Sequence, residues 1–336
     1  MTDFDDLSYE QQLLMLLELA QKAIDAYDLP SGLSVKLINL SENATYKVEA
    51  SDGQCWALRI HRDGHHSKTA IASELAWLME LRKSGVVKTP APVKGRDGEI
   101  IQVISHPRMK QTRNVVLFGW EVGVEPGIGE NLIEPFKVLG EVTAQMHAHT
   151  KGWTRPPWFN RLTWDFETSL GESKPHWGRW RDGMGVDVSK EKLFVRAVAL
   201  IGKRLAAYGK AADRFGLVHC DLRLANLLMD GIAVKVIDFD DCGFGWYMYD
   251  AATPLSFYEH EPQVPELIAA WKEGYRRVAP LSKADETEIP TFVMLRRLLL
   301  VAWIGSHHET DLAKSMGLAY TEGTADLCED YLTKFA

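Results

Sequence analysis

One segment, Val218–Asp241 (VHCDLRLANLLMDGIAVKVIDFDD), constrains this chain more than any other. Two short apolar runs flank Asp230-Gly231, the strongest hairpin signal in the sequence. Folding at that dipeptide pairs Leu227–Met229 with Ile232–Val234 and brings Asn226 and Asp238 to the open end. His219 and Asp221 lie on one side of that end, Asp240 and Asp241 on the other. Carboxylates at the ends of buried strands are costly unless a metal ion, a substrate hydroxyl or a hydrogen-bonded network compensates them.

The residue types narrow the choice. An amide oxygen and a carboxylate form an all-oxygen site, which suits Mg²⁺ rather than Zn²⁺. Asp221 is not needed as a ligand and is placed to accept a proton from a hydroxyl. A metal that neutralises polyphosphate beside a carboxylate that orients the nucleophile is what phosphoryl transfer requires. Competing readings fit less well. His219-Cys220-Asp221 has no second ligand pair to complete a zinc site. A calcium loop starting at Asp238 would need Asp or Asn at its fifth position and Glu at its twelfth, where Cys242 and Tyr249 stand. Helix caps and turn formers would explain any one of these carboxylates but not their clustering around one hairpin.

The rest of the chain suggests a small β-rich lobe followed by a helical one. Leu7–Leu29 has helical periodicity, with Ser8 as its N-cap. Runs at Ser34–Leu40, Thr45–Ala50 and Gln54–Arg62 read as strands, the last two joined by a Ser-Asp-Gly turn. A helix over Ser67–Ser84 carries Glu74, and strands Glu99–Ser105 and Asn114–Trp120 follow the Thr89–Val93 break. Beyond a glycine-rich linker, helices are expected at Asn131–Thr150, Ser189–Phe215, Pro262–Ala279, Lys283–His308 and Asp311–Phe335. Trp153–Asp187 reads as irregular and holds five tryptophans. The fold class is therefore α+β: residues 1–120 form an N-terminal helix and antiparallel β lobe, and residues 121–336 form a helical lobe containing the hairpin.

Composition excludes some partners. A net charge of −8 with no basic patch argues against nucleic acid. Four scattered cysteines, an acidic N-terminal decapeptide and no apolar run near ~18 residues lead us to expect a reduced, cytoplasmic chain without a membrane span.

His219-x-Asp221-x-x-x-x-Asn226 followed by Val-Ile-Asp-Phe-Asp-Asp resembles the aminoglycoside phosphotransferase, choline kinase and type II homoserine kinase superfamily. That superfamily has the bilobed protein-kinase-like fold, and the order of elements agrees over most of the chain. The resemblance implies a small N-terminal lobe that binds ATP and a larger lobe that holds catalytic and substrate groups. It implies that Asp221 is the general base, that Asn226 and Asp238 hold Mg²⁺ with help from Asp240, and that His219 supports the catalytic loop. Asp250 matches an aspartate that stabilises that loop, although an N-cap role is equally open. In the small lobe, Ser41, Asn43 and Ala44 lie where the nucleotide-phosphate loop lies, here without glycine. Arg59 stands where a lysine is usual, and Glu74 matches the glutamate that pairs with it. Phe118 would line the adenine pocket, with Trp120 and Val122 on the linker beside it. Cys220 replaces a common glycine, a change expected to matter little because cysteine is small.

Only twelve positions separate Asp238 from Asp250, which leaves no room for a long activation segment. A small-molecule hydroxyl is the expected acceptor: an amino alcohol, a hydroxy amino acid or an aminoglycoside-like sugar. A stress-response-type protein serine/threonine kinase and a nucleotide-binding pseudokinase are the alternatives. The Trp-rich segment falls where family members build substrate walls, and Asp165, Glu167 and Glu172 are candidate contacts for an ammonium group. Packing is the competing role for its tryptophans. The expected assembly is a monomer or a homodimer.

Overall fold

The computed structural model describes residues 4–129 and 131–336. They divide into two compact units. The first holds the described residues up to Ser84 with Thr89–Val122 and Arg155–Asn160. The second holds Gly85–Lys88, the described part of Gly123–Thr154, and Arg161–Ala336.

The first unit is a twisted antiparallel sheet with two helices. Strands β1 (Ser34–Leu40), β2 (Ala44–Glu49), β3 (Cys55–Ile60), β4 (Pro92–Val93), β5 (Gln102–Ile104) and β6 (Arg113–Gly119) run in the order β1-β2-β3-β6-β4, with β5 also on β6. Helix α1 (Tyr9–Ile24) opens on a Ser8/Gln11 capping box. Its Leu16, Leu19, Ala20 and Ala23 join Tyr46, Val48, Leu58, Ile60 and Leu117 of the sheet in one core. Because side chains alternate along a strand, Arg59 points away from that core, between Leu58 and Ile60. Helix α2 (Lys68–Lys83), capped by Ser67, presents Glu74 to it. Strand β4 lies in the Thr89–Val93 segment expected to be a break; it is two residues long and contains a proline, too little pattern to read from sequence.

The second unit is mainly helical: α3 (Ile133–Gly152), α4 (Phe166–Leu170), α5 (Val188–Tyr208), α6 (Tyr249–Ala252), α7 (Val264–Arg276), α8 (Lys283–Ser306) and α9 (Asp311–Phe335), the last interrupted at Gly317. Helices α3 and α7 cross closely at Gly140 and Gly274, where a Cβ on either would collide with the other helix's backbone. Helix α5 stops at Tyr208, short of the expected Phe215, because Gly209 takes φ +77 and ends it. Phe215–Val218 is instead strand β8, which pairs with β11 (Gly243–Trp246); β11 in turn runs parallel to β7 (Leu162–Trp164). The segment read as irregular thus contributes both β7 and α4.

The hairpin forms from β9 (Leu227–Asp230) and β10 (Ala233–Val236) in a different register from that expected: Met229 pairs with Val234 and Leu227 with Val236. The turn is centred on Gly231-Ile232, with Gly231 at φ +62, so the glycine takes the first central position rather than the second. Helix α8 is the one helix among the described residues long and apolar enough, by length and composition, to cross a membrane, although no such run was expected. It is mostly buried within its own unit, as a core helix is.

Candidate active site

In the second unit, β8 delivers the chain to His219, and a short 3₁₀ turn at Leu224–Asn226 returns it to β9. Asp250, at the start of α6, holds this loop: its carboxylate accepts from the backbone N–H groups of His219 (3.0 Å) and Cys220 (2.8 Å). The N-cap alternative fails, because Met248 occupies that position. His147 Nε2 lies 3.1 Å from the same carboxylate. Thr253 Oγ1 accepts from Leu222 N–H (3.0 Å), pinning the loop further along.

His219 is fully buried, its ring against Phe239 and its Nδ1 accepting from Asp221 N–H (3.3 Å). Burial pushes its pKa down, so the ring is a neutral prop rather than an acid. Cys220 has φ +69, the left-handed region that L side chains rarely adopt. Glycine adopts this conformation at no steric cost, so the demand at position 220 is on the backbone and is not met by a small side chain as such. Burial also pushes the Cys220 thiol well up, so it is not a nucleophile.

Asp221 is nearly buried, and its carboxylate is held from both ends. Oδ2 accepts from Asn226 Nδ2 (2.7 Å) and Arg223 Nε (3.3 Å), and Oδ1 accepts from Arg296 Nη2 (2.5 Å). Burial alone would raise its pKa; the guanidinium groups of Arg296 and Arg223 outweigh that and hold it below the usual carboxylate range. Asn226 Nδ2 also donates to the Asp221 carbonyl (2.9 Å), so both amide hydrogens point at Asp221 and the amide oxygen is left as an acceptor facing elsewhere. Asp238 follows β10 with φ +57 and is exposed, while Asp240 is buried. The Asp238–Gly243 segment is latched by carbonyl contacts: Arg161 donates to the carbonyls of Asp240 and Cys242, and Trp164 Nε1 donates to that of Asp241 (2.8 Å). Asn226, Asp238 and Asp240 can offer oxygen donors only, the ligand chemistry of a hard divalent cation.

Sequence reasoning missed Arg296, Arg161 and Trp164 as supports. No motif places an arginine deep in an apolar helix; its one signal is the pair Arg296-Arg297 inside an otherwise apolar run. Trp164, Trp177 and Trp180 are buried, so the packing role holds for these three. Asp165 and Glu172, two of the three candidate ammonium contacts, accept hydrogen bonds from Lys210 (2.6 Å) and Arg181 (2.9 Å).

In the first unit, Arg59 and Glu74 form a buried ion pair, and the Arg59 guanidinium lies 5.1 Å from the centroid of the Phe118 ring. Phe118 is buried in β6, while Trp120 and Val122 are exposed beyond its end. Between β1 and β2, Ser41 N–H donates to the Asn43 carbonyl (3.2 Å), so that group closes the turn. Asn43 Oδ1 accepts from Arg62 N–H (3.2 Å) and ties the turn to the end of β3, while Ala44 already pairs with Leu40. This turn is built from side-chain anchors rather than glycines.

A family model, the phosphotransferase enzyme family, matches residues 34–281, and the chain belongs to that family. A solved microcompartment-associated aminopropanol kinase is 43% identical, covers 95% of this chain and 98% of its own, and superposes with a TM-score of 0.87. The amicoumacin kinase of Bacillus subtilis (strain 168) is 28% identical over 278 residues, 79% of this chain and 78% of the relative. A solved amicoumacin kinase in complex with AMP-PNP and Ca²⁺ shares the kinase-like α+β fold at 22% identity, with a TM-score of 0.75 over 95% of this chain and 94% of its own. The protein is a small-molecule kinase that phosphorylates an alcohol group, and its relatives favour neither the protein-kinase nor the pseudokinase alternative.

Proposed function

We propose that this kinase transfers the γ-phosphoryl group of ATP to the hydroxyl of a small amino alcohol, with Mg²⁺ as its metal. The observation that carries the reading is the Asp221–Asn226 arrangement, in which one side chain is held as a base and its neighbour turns an amide oxygen outward. The acceptor class rests on the 43% identity to an aminopropanol kinase along nearly the whole chain.

In the transfer, the hydroxyl donates its hydrogen bond to Asp221. Its oxygen forms the new bond to the γ-phosphorus as the bond to the β,γ-bridging oxygen breaks, ADP leaves and the proton passes to Asp221. Asn226 and Asp238 would hold Mg²⁺ with help from Asp240. The metal, when bound, neutralises the charge on the transferring phosphoryl group. Arg59, fixed by Glu74, would contact the α/β-phosphates, since a guanidinium binds phosphate bidentately. Ser41, Asn43 and Ala44 would border the phosphates, and Phe118, Trp120 and Val122 the base. The four cysteines are free thiols, three of them buried, which supports a reducing, cytoplasmic setting.

Thermal unfolding with ATP·Mg²⁺ and a panel of amino alcohols, hydroxy amino acids and aminoglycosides tests this reading. A ligand at ~100 times its Kd stabilises by about 2.7 kcal/mol, a readable shift. A Mg²⁺-dependent ATP shift, raised further by 1-amino-2-propanol and accompanied by ADP release, is expected. An ATP shift with turnover of a sugar or a hydroxy amino acid instead would overturn the acceptor class. No shift with any nucleotide would overturn the ATP assignment.

A further inference from the structure

We propose that Arg296 is the positioning residue of the transfer: it locks the Asp221 carboxylate in the one orientation that leaves a lone pair for the acceptor hydroxyl. This rests on the reading of Asp221 as the base. Arg296 sits in the most deeply buried stretch of α8, between Leu295 and Leu298, with its side chain 2% exposed. A guanidinium there is tolerated only if its donors and charge are matched. Each of its three nitrogens has a partner on a different piece of the chain. Nε donates to Ser256 Oγ (3.0 Å), Nη1 to Tyr249 Oη (3.2 Å) and Nη2 to Asp221 Oδ1 (2.5 Å). Its plane is also backed by the Trp177 ring, 5.1 Å away. Two of the three hydrogen-bond partners are neutral hydroxyls, which fix the direction of the fork without competing for its charge. The charge is delivered to Asp221.

The carboxylate's capacity gives this arrangement its meaning. An ionised carboxylate offers about four lone-pair positions. Arg296 fills one on Oδ1, and Asn226 and Arg223 fill two on Oδ2. About one remains, on a side chain that can no longer rotate. A base with a single open position accepts from a hydroxyl in a single direction, which is how orientation lowers a transfer barrier. A lysine would keep the charge but could not hold Ser256, Tyr249 and Asp221 in one plane.

The test compares Arg296→Lys, Arg296→Met, Ser256→Ala and Tyr249→Phe in the full chain with ATP·Mg²⁺. kcat and KM are measured for ATP and 1-amino-2-propanol, alongside Tm. Where that alcohol is not turned over, the same series is read on ATP hydrolysis, with water as the acceptor. Expected is a kcat loss of up to ~10²-fold for Arg296→Lys, the scale of a misplaced reacting group. The KM for ATP should stay unchanged, and Tm should fall no further than in Ser256→Ala and Tyr249→Phe combined, since those are the buried partners a lysine releases. Arg296→Met should lose more, and each hydroxyl variant less. A kcat for Arg296→Lys equal to that of the parent would overturn the proposal, as would a rise in the KM for ATP in step with the losses of kcat and Tm, the mark of a merely structural clamp. If Arg296→Met fails to fold, the lysine and hydroxyl variants still decide. Asp221→Asn run in parallel separates the two readings: an active variant would remove the base itself, whereas an inactive one beside a fully active Arg296→Lys removes only the role of Arg296.

Discussion

Each unit contains a buried arginine–carboxylate pair, and the proposed mechanism gives the two pairs opposite roles. In the first, Glu74 is completely buried on α2 and Arg59 lies on a strand, over Phe118. In that mechanism the carboxylate is the support, and the arginine is the group offered to ATP. In the second, Arg296 lies buried on a helix against Asp221, and the mechanism makes Arg296 the support and Asp221 the group offered. Removing either member leaves its buried partner's charge uncompensated, but only removal of the working group also takes away chemistry. The same contact therefore predicts different losses depending on which partner is changed.

The largest effect should come from the working member of the second pair. Asp221→Asn is expected to lower turnover by roughly 10²–10⁴-fold, the range for a general base, while ATP binding measured by thermal shift is retained. Loss of ATP binding together with turnover would show that Asp221 serves the nucleotide side, and the contrast between the pairs would collapse. The supporting member of the first pair comes next. Glu74→Gln leaves the Arg59 charge buried without its counter-charge, a change that costs about 3–5 kcal/mol when a buried pair is broken from one side. Denaturant unfolding should show that loss, and the KM for ATP should rise while the kcat at saturation changes little. A variant with the parent's stability and ATP affinity would mean that Glu74 does not position Arg59.

The two pairs also differ in how far the sequence revealed them. Arg59 and Glu74 are fifteen residues apart, on a strand and the helix that follows, so local periodicity and the family pattern name both. Asp221 and Arg296 are seventy-five residues apart, and nothing in an apolar helical run says which side chain it will meet. The hairpin with Asn226 and Asp238 was legible because a Gly turn and polar residues at strand ends leave few options. Its register was not, since Asp-Gly suits more than one turn and only the structure shows Gly231 in the first central position. The strain at Cys220 was equally hidden, because a residue's φ is set by what holds the loop, here Asp250.

Asp250 refines the contrast, since it supports the catalytic loop's backbone where Arg296 supports its side chain. An asparagine there keeps only one acceptor oxygen for two backbone N–H groups, those of His219 and Cys220. One buried donor left unsatisfied costs about 1–3 kcal/mol. Asp250→Asn should therefore lower stability by that amount and kcat by roughly tenfold, equivalent to ~1.4 kcal/mol, without altering the KM for ATP. Parent-like stability would mean that the loop holds its shape without this carboxylate.

The smallest effect is one of pH. His147 is buried between Asp250 (3.1 Å), Tyr275 Oη (3.1 Å) and the Tyr247 ring, with Lys151 nearby. A neutral imidazole satisfies both polar partners, with Nε2–H donating to the carboxylate and Nδ1 accepting from the phenol. Burial pushes its pKa below the ordinary value, and this outweighs the pull of Asp250. The unfolded chain takes up a proton below pH ~6.5 that the folded chain refuses, so this contribution to stability is lost as pH falls below that value and is constant above ~7. The slope from this one group is at most ~1.4 kcal/mol per pH unit. Tm measured from pH 7.5 to 5.5 should fall less steeply in His147→Gln than in the parent, although the variant starts lower. A parent that instead gains stability on acidification, with the gain abolished in His147→Gln, would mean that His147 is protonated against Asp250. That would add another buried ion pair, one in which the support of the catalytic loop carries the charge.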